Sequence, residues 1–295
     1  MPIVATLIAN PARPELSDAL AETARRAVGG GAPDWLAPGI ACDIALGADA
    51  DRTTVRSTIV EALAGAPVDL AVVDTLDRRK KLFLADMDST MIEQECIDEL
   101  AAEVKLKDKV AAITEAAMRG ELDFAGALRE RVALLKGLDT TLFKRIIVER
   151  ISLTPGARTL VRTMRANGVH CALVSGGFTV FTQEIARIVG FNEHHANRLV
   201  VDGGRLSGHV VEPILGAEAK LNRLRALRDR LGLLPRQTLA VGDGANDLMM
   251  VEEAGLGVAY HAKPTLAEAA DIRIDHGDLT ALLYAQGYRQ SEFTH

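Results

Sequence analysis

Apolar positions along this chain fall into two periods, and the alternation between them sets out the elements. Residues 3–9 are an almost unbroken apolar run, which predicts a buried strand. Across 14–28, Leu16, Leu20, Ala24 and Val28 recur on one helical face, and Gly29-Gly30-Gly31 then breaks the pattern. A second strand is expected over 40–46. A helix capped by Asp51 follows over 51–64, and a third strand over 68–73. Residues 1–78 thus read as a small β-α-β-α-β unit.

The run Asp77-Arg78-Arg79-Lys80-Lys81 reads as a solvated linker. Leu82-Phe83-Leu84-Ala85 is then another short buried strand. From 91 to 153 the pattern is helical with no convincing strand, with helices expected over 95–102, 107–119, 124–136 and 140–151. Pro155-Gly156 returns the chain to alternating strands and helices, and 198–208 reads as a hairpin turning on Gly203-Gly204. The expected fold class is α/β. Residues 79–92 and 154–295 form a Rossmann-like parallel sheet core, 93–153 a helical cap inserted after its first strand, and 1–78 a separate small α/β domain.

Three strands of the core end in chemically useful residues. Asp86 and Asp88 follow the 82–85 strand at spacing i, i+2, so both project to one side at its carboxyl end, where open α/β sheets place ligands. Two adjacent carboxylates repel, and a nearby divalent cation or a shared proton relieves that repulsion. Both conditions suit a nucleophile and acid pair acting on a phosphate. Ala172-Leu173-Val174 ends in Ser175-Gly176-Gly177, whose hydroxyl and open backbone suit phosphate oxygens. Leu239-Ala240-Val241 runs into Gly242-Asp243-Gly244-Ala245-Asn246-Asp247, and Asp243 and Asp247 are hard oxygen donors of the kind Mg²⁺ selects. Lys220, near the start of an amphipathic helix, is a compact cation suited to a phosphoryl oxygen.

These four segments resemble the haloacid-dehalogenase superfamily. With Glu95, the run Met118-Arg119-Gly120-Glu121-Leu122-Asp123-Phe124 and the run Leu128-Arg129-Glu130-Arg131-Val132, residues 80–285 look like the phosphoserine phosphatases within it. The resemblance implies Asp86 as nucleophile and Asp88 as acid and base. It implies Mg²⁺ held by Asp86, the Asp88 carbonyl and Asp243 with Asp247 nearby, and phosphate held by Ser175, Gly176 and Lys220 with Asn246 in contact. It also implies that Glu95 receives the ammonium of O-phospho-L-serine, Arg131 its carboxylate, and Met118 and Phe124 form an apolar wall. The activity expected is Mg²⁺-dependent hydrolysis to L-serine and phosphate, the last step of serine biosynthesis. The 1–78 unit loosely resembles ACT-like regulatory domains of amino-acid enzymes, and a packing or homodimer-forming role fits it equally.

Bulk properties narrow the classes. With 295 residues, 48% hydrophobic and 25% charged, the chain is an ordinary globular protein. A net charge of −6 gives no basic surface for nucleic acid or membrane. No apolar run is long enough to span a bilayer and the first residues carry no basic signal region, so a cytoplasmic protein is expected. Cys42, Cys96 and Cys171 are dispersed and form no disulfide or zinc pattern. The rival readings are a phosphatase for another small phosphate (phosphohomoserine, phosphothreonine or a sugar phosphate), a phosphoryl-transferring mutase, and a non-catalytic amino-acid sensor. Glu95 with Arg131 argues for an amino-acid substrate, and the intact set Asp86, Asp88, Lys220 and Asp243 argues against a sensor.

Overall fold

The structure, a computed structural model, describes residues 2–118 and 121–295, without the side chains of 115–118. The chain opens with β1 (Ile3–Ala9), α1 (Asp18–Val28), β2 (Asp34–Ala37), β3 (Ala41–Leu46), α2 (Arg52–Leu63) and β4 (Val68–Asp74). Their sheet runs β2-β3-β1-β4, antiparallel throughout. The order is therefore β-α-β-β-α-β, with one strand more than the sequence pattern predicts. The short β2 lies between Pro33 and Pro38, which disguise it as a loop but are tolerated beside an edge strand. The first helix begins at Asp18 rather than 14. Ser17 Oγ accepts from Leu20 N at 3.2 Å as its cap, while Leu16 N is already donated to Gly39 O. Asp51 caps α2 as expected, accepting from Thr54 N at 2.8 Å.

Alternation along β1 divides the packing of this sheet. Ile3, Ala5 and Leu7 face α1 and α2 with Leu16, Ala21, Ile59 and Leu63. Val4 and Ile8, with Ala71 and Val73 of β4, face the rest of the molecule. Both faces are thus dry, which is why β1 and β4 read as continuous apolar runs.

Next come β5 (Leu82–Ala85), then α3 (Cys96–Glu103), α4 (Lys107–Met118), α5 (Phe124–Leu134) and α6 (Leu142–Glu149). The chain continues through α7 (Ala157–Ala166), β6 (His170–Phe178), α8 (Thr179–Val189), β7 (Glu193–Asn197) and the antiparallel hairpin β8 (Leu199–Asp202) and β9 (Arg205–Val210). It closes with α9 (Ala217–Arg230), β10 (Thr238–Gly242), α10 (Leu248–Glu253), β11 (Gly257–Tyr260), α11 (Pro264–Ala269), β12 (Ile272–Ile274) and α12 (Ala281–Ala285). Six strands form a parallel sheet in the order β12-β11-β10-β5-β6-β7. Phe83, Ala85, Cys171 and Leu173 pack on one face with α7 and α8; Leu82, Leu84, Ala172 and Val174 pack on the other with α9, α10 and α11. The first strand of the core, β5, is central, flanked by β6 and β10, so three strand ends converge. The helices α3 to α6 leave the core after β5. The strands of chain that lead out and back are paired, with Glu93 N donating to Ser152 O and Thr154 N to Met91 O.

The charged segment 77–81 is not a solvated linker. Arg78 forms a two-pronged ion pair with Asp43 at 2.6 and 2.8 Å, and also donates to Thr6 Oγ1, Ala285 O and Tyr284 O. Arg79 stacks over the Tyr288 ring at 4.0 Å, and the largely buried Lys80 donates Nζ to Arg236 O. Asp69 of β4 accepts from the backbone of Asp275, His276 and Gly277. Sequence composition shows the charges but not the partners, several of which lie more than 200 residues away.

Candidate active site

The carboxyl ends of β5, β6 and β10 open into a cavity of about 780 Å³ beneath helices α3, α4 and α5. Asp86 continues the sheet, donating its N–H to Val241 O, and its carboxylate is buried. Asp88, two residues on, also lines the cavity, and its Oδ1 accepts from Cys96 N at 3.2 Å. Ser89 then takes a left-handed backbone, φ 54°, which turns the chain sharply. Its hydroxyl donates to Glu95 Oε1 at 2.8 Å, drawing Glu95 to the same wall.

From β6, Ser175 is buried and its Oγ accepts from Gly177 N at 2.8 Å. A Cβ on Gly177 would fall 2.8 Å from Asp88 Oδ2, so the backbone here must be bare to lie against that carboxylate. A Cβ on Gly176 would come within 2.9 Å of the ring of Phe124, which reaches down from α5. Lys220 of α9 is fully buried behind the cavity, 2.7 Å from Asp86 Oδ1 and 2.6 Å from Asp247 Oδ1. Burial alone would lower its pKa, but Asp247 and Asp86 together outweigh it and hold the ammonium above its usual range. Asp86 Oδ1 is thus paired with the same ammonium as Asp247 Oδ1.

After β10, Asp243 faces the cavity and Asn246 lines it, while Asp247 is fully buried beside Lys220. Carboxylate oxygens of Asp86, Asp243 and Asp247 lie within 4.8 Å of one another. Burial first, and then the Asp86 charge, raise Asp243 and bring Asp247 up to about 7. Burial followed by Glu95 and Asp86 pushes Asp88 well above the usual carboxylate range. Glu95 is raised by burial as well.

The cavity wall carries Asp86, Asp88, Glu95, Asp98 and Asp243 against Arg131 and Lys263. Such an excess of carboxylates would repel a phosphate dianion. The three converging carboxylates of Asp86, Asp243 and Asp247 are hard oxygen donors that fit a divalent cation, which would reverse that repulsion.

Arg131, on α5, enters from the helical side. Its Nε donates to Ala127 O at 3.2 Å and its Nη1 to Thr114 Oγ1 at 3.5 Å. Burial lowers its pKa against the pull of Glu95. The structure thus gathers Asp86, Asp88, Glu95, Phe124, Arg131, Ser175, Gly176, Asp243 and Asn246 on one cavity, with Lys220 and Asp247 behind it. The side chain of Met118 lies outside the described residues. Lys263 was not singled out from sequence. It stands beyond the end of β11, with N donating to Asp243 O at 2.9 Å and Nζ 3.7 Å from Asp243 Oδ2. Its position after a parallel strand was the signal that could have found it.

The sequence matches the family model for haloacid dehalogenase-like hydrolase over residues 83–252. It is 43% identical over 240 residues to phosphoserine phosphatase SerB2 of Mycobacterium tuberculosis, covering 81% of this chain and 58% of that protein. It is 45% identical over 228 residues to a phosphoserine phosphatase of Polaromonas sp., covering 76% of this chain and 97% of that one. The chain spans 58% to 63% of the length of the mycobacterial relative and two others, from Archaeoglobus fulgidus and Streptomyces coelicolor. The crystal structure of a HAD family hydrolase, t0658, from Salmonella enterica serovar Typhi superposes with a TM-score of 0.87 at 26% identity, covering 96% of this chain and 98% of that one. With the strand-end carboxylates, the buried lysine and this span of matched sequence in agreement, the chain belongs to the haloacid dehalogenase-like hydrolase family.

Proposed function

We propose that this chain is a Mg²⁺-dependent phosphoserine phosphatase. One observation carries the reading: a single cavity holds Asp86 and Asp88 together with both Glu95 and Arg131. The first pair suits a phosphate. The second suits the ammonium and carboxylate of an amino acid, since an ammonium wants a carboxylate and a carboxylate wants a guanidinium. The curated relatives named above support the same substrate.

Asp86 attacks phosphorus in line, forming an acyl phosphate as the bond to the serine oxygen breaks. Asp88, whose proton is favoured by burial and by Glu95, delivers it to the departing oxygen. The same carboxylate then takes a proton from water, which attacks the phosphorus and frees Asp86. Lys220 holds Asp86 and Asp247 as a charged unit, and from behind the cavity its charge would offset that of the phosphoryl oxygens. Ser175 and the Gly176 backbone hold the phosphate. Phe124 closes the apolar side and excludes water. Mg²⁺, held by Asp86, the Asp88 carbonyl and Asp243 near Asp247, would neutralise phosphate charge and fix its orientation.

The N-terminal unit takes no part in this chemistry, since every residue assigned to it lies at or beyond Asp86. One face of its sheet is buried against the core, which leaves its helical layer and the edge strand β2 for any second copy. Buried, unpaired Cys42, Cys96 and Cys171 suit a reducing cytoplasm, and among the described residues no helix is long and apolar enough to cross a membrane.

The test is to quench Mg²⁺-loaded protein during turnover of O-phospho-L-serine and map the phosphorylated peptide. The reading requires phosphate on the peptide carrying Asp86 and none in Asp86→Asn. Phosphate retained in that variant would contradict it.

A further inference from the structure

Asn197, at the end of β7, lies outside every motif of the site, yet its side chain is 97% shielded and fully engaged: it is only 3% exposed. Nδ2 donates to Gly176 O at 2.8 Å and to Leu215 O at 3.1 Å, while Oδ1 accepts from Leu215 N at 2.7 Å. Both amide protons are used, so none is left for a substrate. What the amide joins is informative. Gly176 belongs to the Ser175–Gly177 turn, and Leu215 precedes Gly216, the N-cap of the helix that carries Lys220. A Cβ on either Gly176 or Gly216 would strike the ring of Phe124, at 2.9 and 3.1 Å. The two bare backbone segments clamped by Asn197 therefore make the floor on which Phe124 rests.

Asn197 also roots the β8–β9 hairpin, and that hairpin is bonded to the helical insertion. Gly137 N donates to Leu206 O at 2.8 Å, Leu206 N to Leu138 O at 2.9 Å, and Thr140 N to Gly204 O at 3.0 Å. Arg205 Nη1 adds a bond to Gly137 O. The helical layer is thus attached to the core through an arm whose base is the residue that ties the phosphate-holding turn to the Lys220 helix.

Resting on the phosphatase reading above, we infer that Asn197 is a positioning residue: it holds the Ser175–Gly177 turn against the start of the Lys220 helix and links both to the arm that carries the cap. Its loss lets the two segments part, so phosphate is held less well whatever organic group it carries. A misplacement of about 1 Å costs on the order of a hundredfold in rate.

The test uses the full, Mg²⁺-loaded chain and the variants Asn197→Ala and Asn197→Asp, the second isosteric and so better able to fold. Inorganic phosphate is titrated as an inhibitor, and kcat and KM are measured for O-phospho-L-serine and O-phosphoethanolamine. Asn192→Ala is the control. It removes a similar side-chain acceptor, for Cys171 N at 2.9 Å, at the opposite end of β6. The expected result for Asn197 variants is an inhibition constant for phosphate raised about tenfold or more and kcat/KM lowered about 10- to 100-fold on both esters alike. Asn192→Ala should lower the melting temperature without moving the phosphate constant. If folded Asn197 variants bind phosphate as the wild type does, the residue is merely structural and the inference fails. If the wild type itself neither binds phosphate nor hydrolyses either ester, the phosphatase reading falls, and this inference with it.

Discussion

Replacing Arg78 with alanine should destabilise the whole chain, although the residue sits in a charged run that resembles a linker. Its guanidinium bridges Asp43 and Thr6 of the N-terminal sheet to the carbonyls of Tyr284 and Ala285 in the core. The Arg78 and Asp43 side chains are only 15% and 13% exposed. Truncation leaves the Asp43 carboxylate without its cation and Thr6 without a donor. Removing one partner of a buried pair costs about 3–5 kcal/mol, and the remaining solvent contact favours the lower figure, about 3 kcal/mol. At about 2–4 °C per kcal/mol for a chain of this order of size, the melting midpoint should fall by roughly 6–12 °C. Calorimetry or fluorescence-monitored melting measures this. The double variant Arg78→Met with Asp43→Leu should recover much of the loss, because both charges then leave together. A change within about 0.5 kcal/mol for Arg78→Ala, the value of an ordinary surface substitution, would refute the reasoning.

Three further outcomes are expected. A chain beginning near Arg78 would expose the face that Val4, Ile8, Ala71 and Val73 cover, so it should associate and bind a hydrophobic dye; a well-behaved monomer with unchanged melting in size-exclusion and melting assays would show that the brace is dispensable. Lys220→Met should cut kcat by about a hundredfold or more, since it removes the ammonium set 2.7 Å from Asp86 and 2.6 Å from Asp247; near-normal steady-state turnover would exclude its role. Arg131→Ala should weaken O-phospho-L-serine far more than O-phosphoethanolamine, which lacks the carboxylate, whereas equal losses in kcat/KM would place Arg131 in structure or on the phosphate.

What could be read from sequence was local. Leu82–Ala85 is a strand because both of its faces are dry, so its apolar run is unbroken, and the residues after it are at the sheet's working edge. The same logic placed Ser175 and Asp243, and it extended to Lys263 had β11 been weighed alike. Glu95, Phe124 and Arg131 carry no such signal, and only their resemblance to a family pointed to them. Strand β2 escaped notice because four residues between prolines give no period to read. The segment 77–81 was misjudged because charge density indicates solvation only when no partner waits elsewhere in the chain. Asn197 was silent for a related reason: its three bonds reach 18 and 21 residues away, and nothing in its neighbours announces them.

The central claim is that this cavity hydrolyses the phosphate of an amino acid with Mg²⁺. The most direct measurement is phosphate release by the purified full chain from O-phospho-L-serine, O-phosphoethanolamine and a hexose phosphate, each with Mg²⁺ and with EDTA. The account predicts the highest kcat/KM on O-phospho-L-serine and loss of activity on all three when the metal is chelated. Faster hydrolysis of the hexose phosphate, or turnover of O-phospho-L-serine undiminished by EDTA, would contradict it.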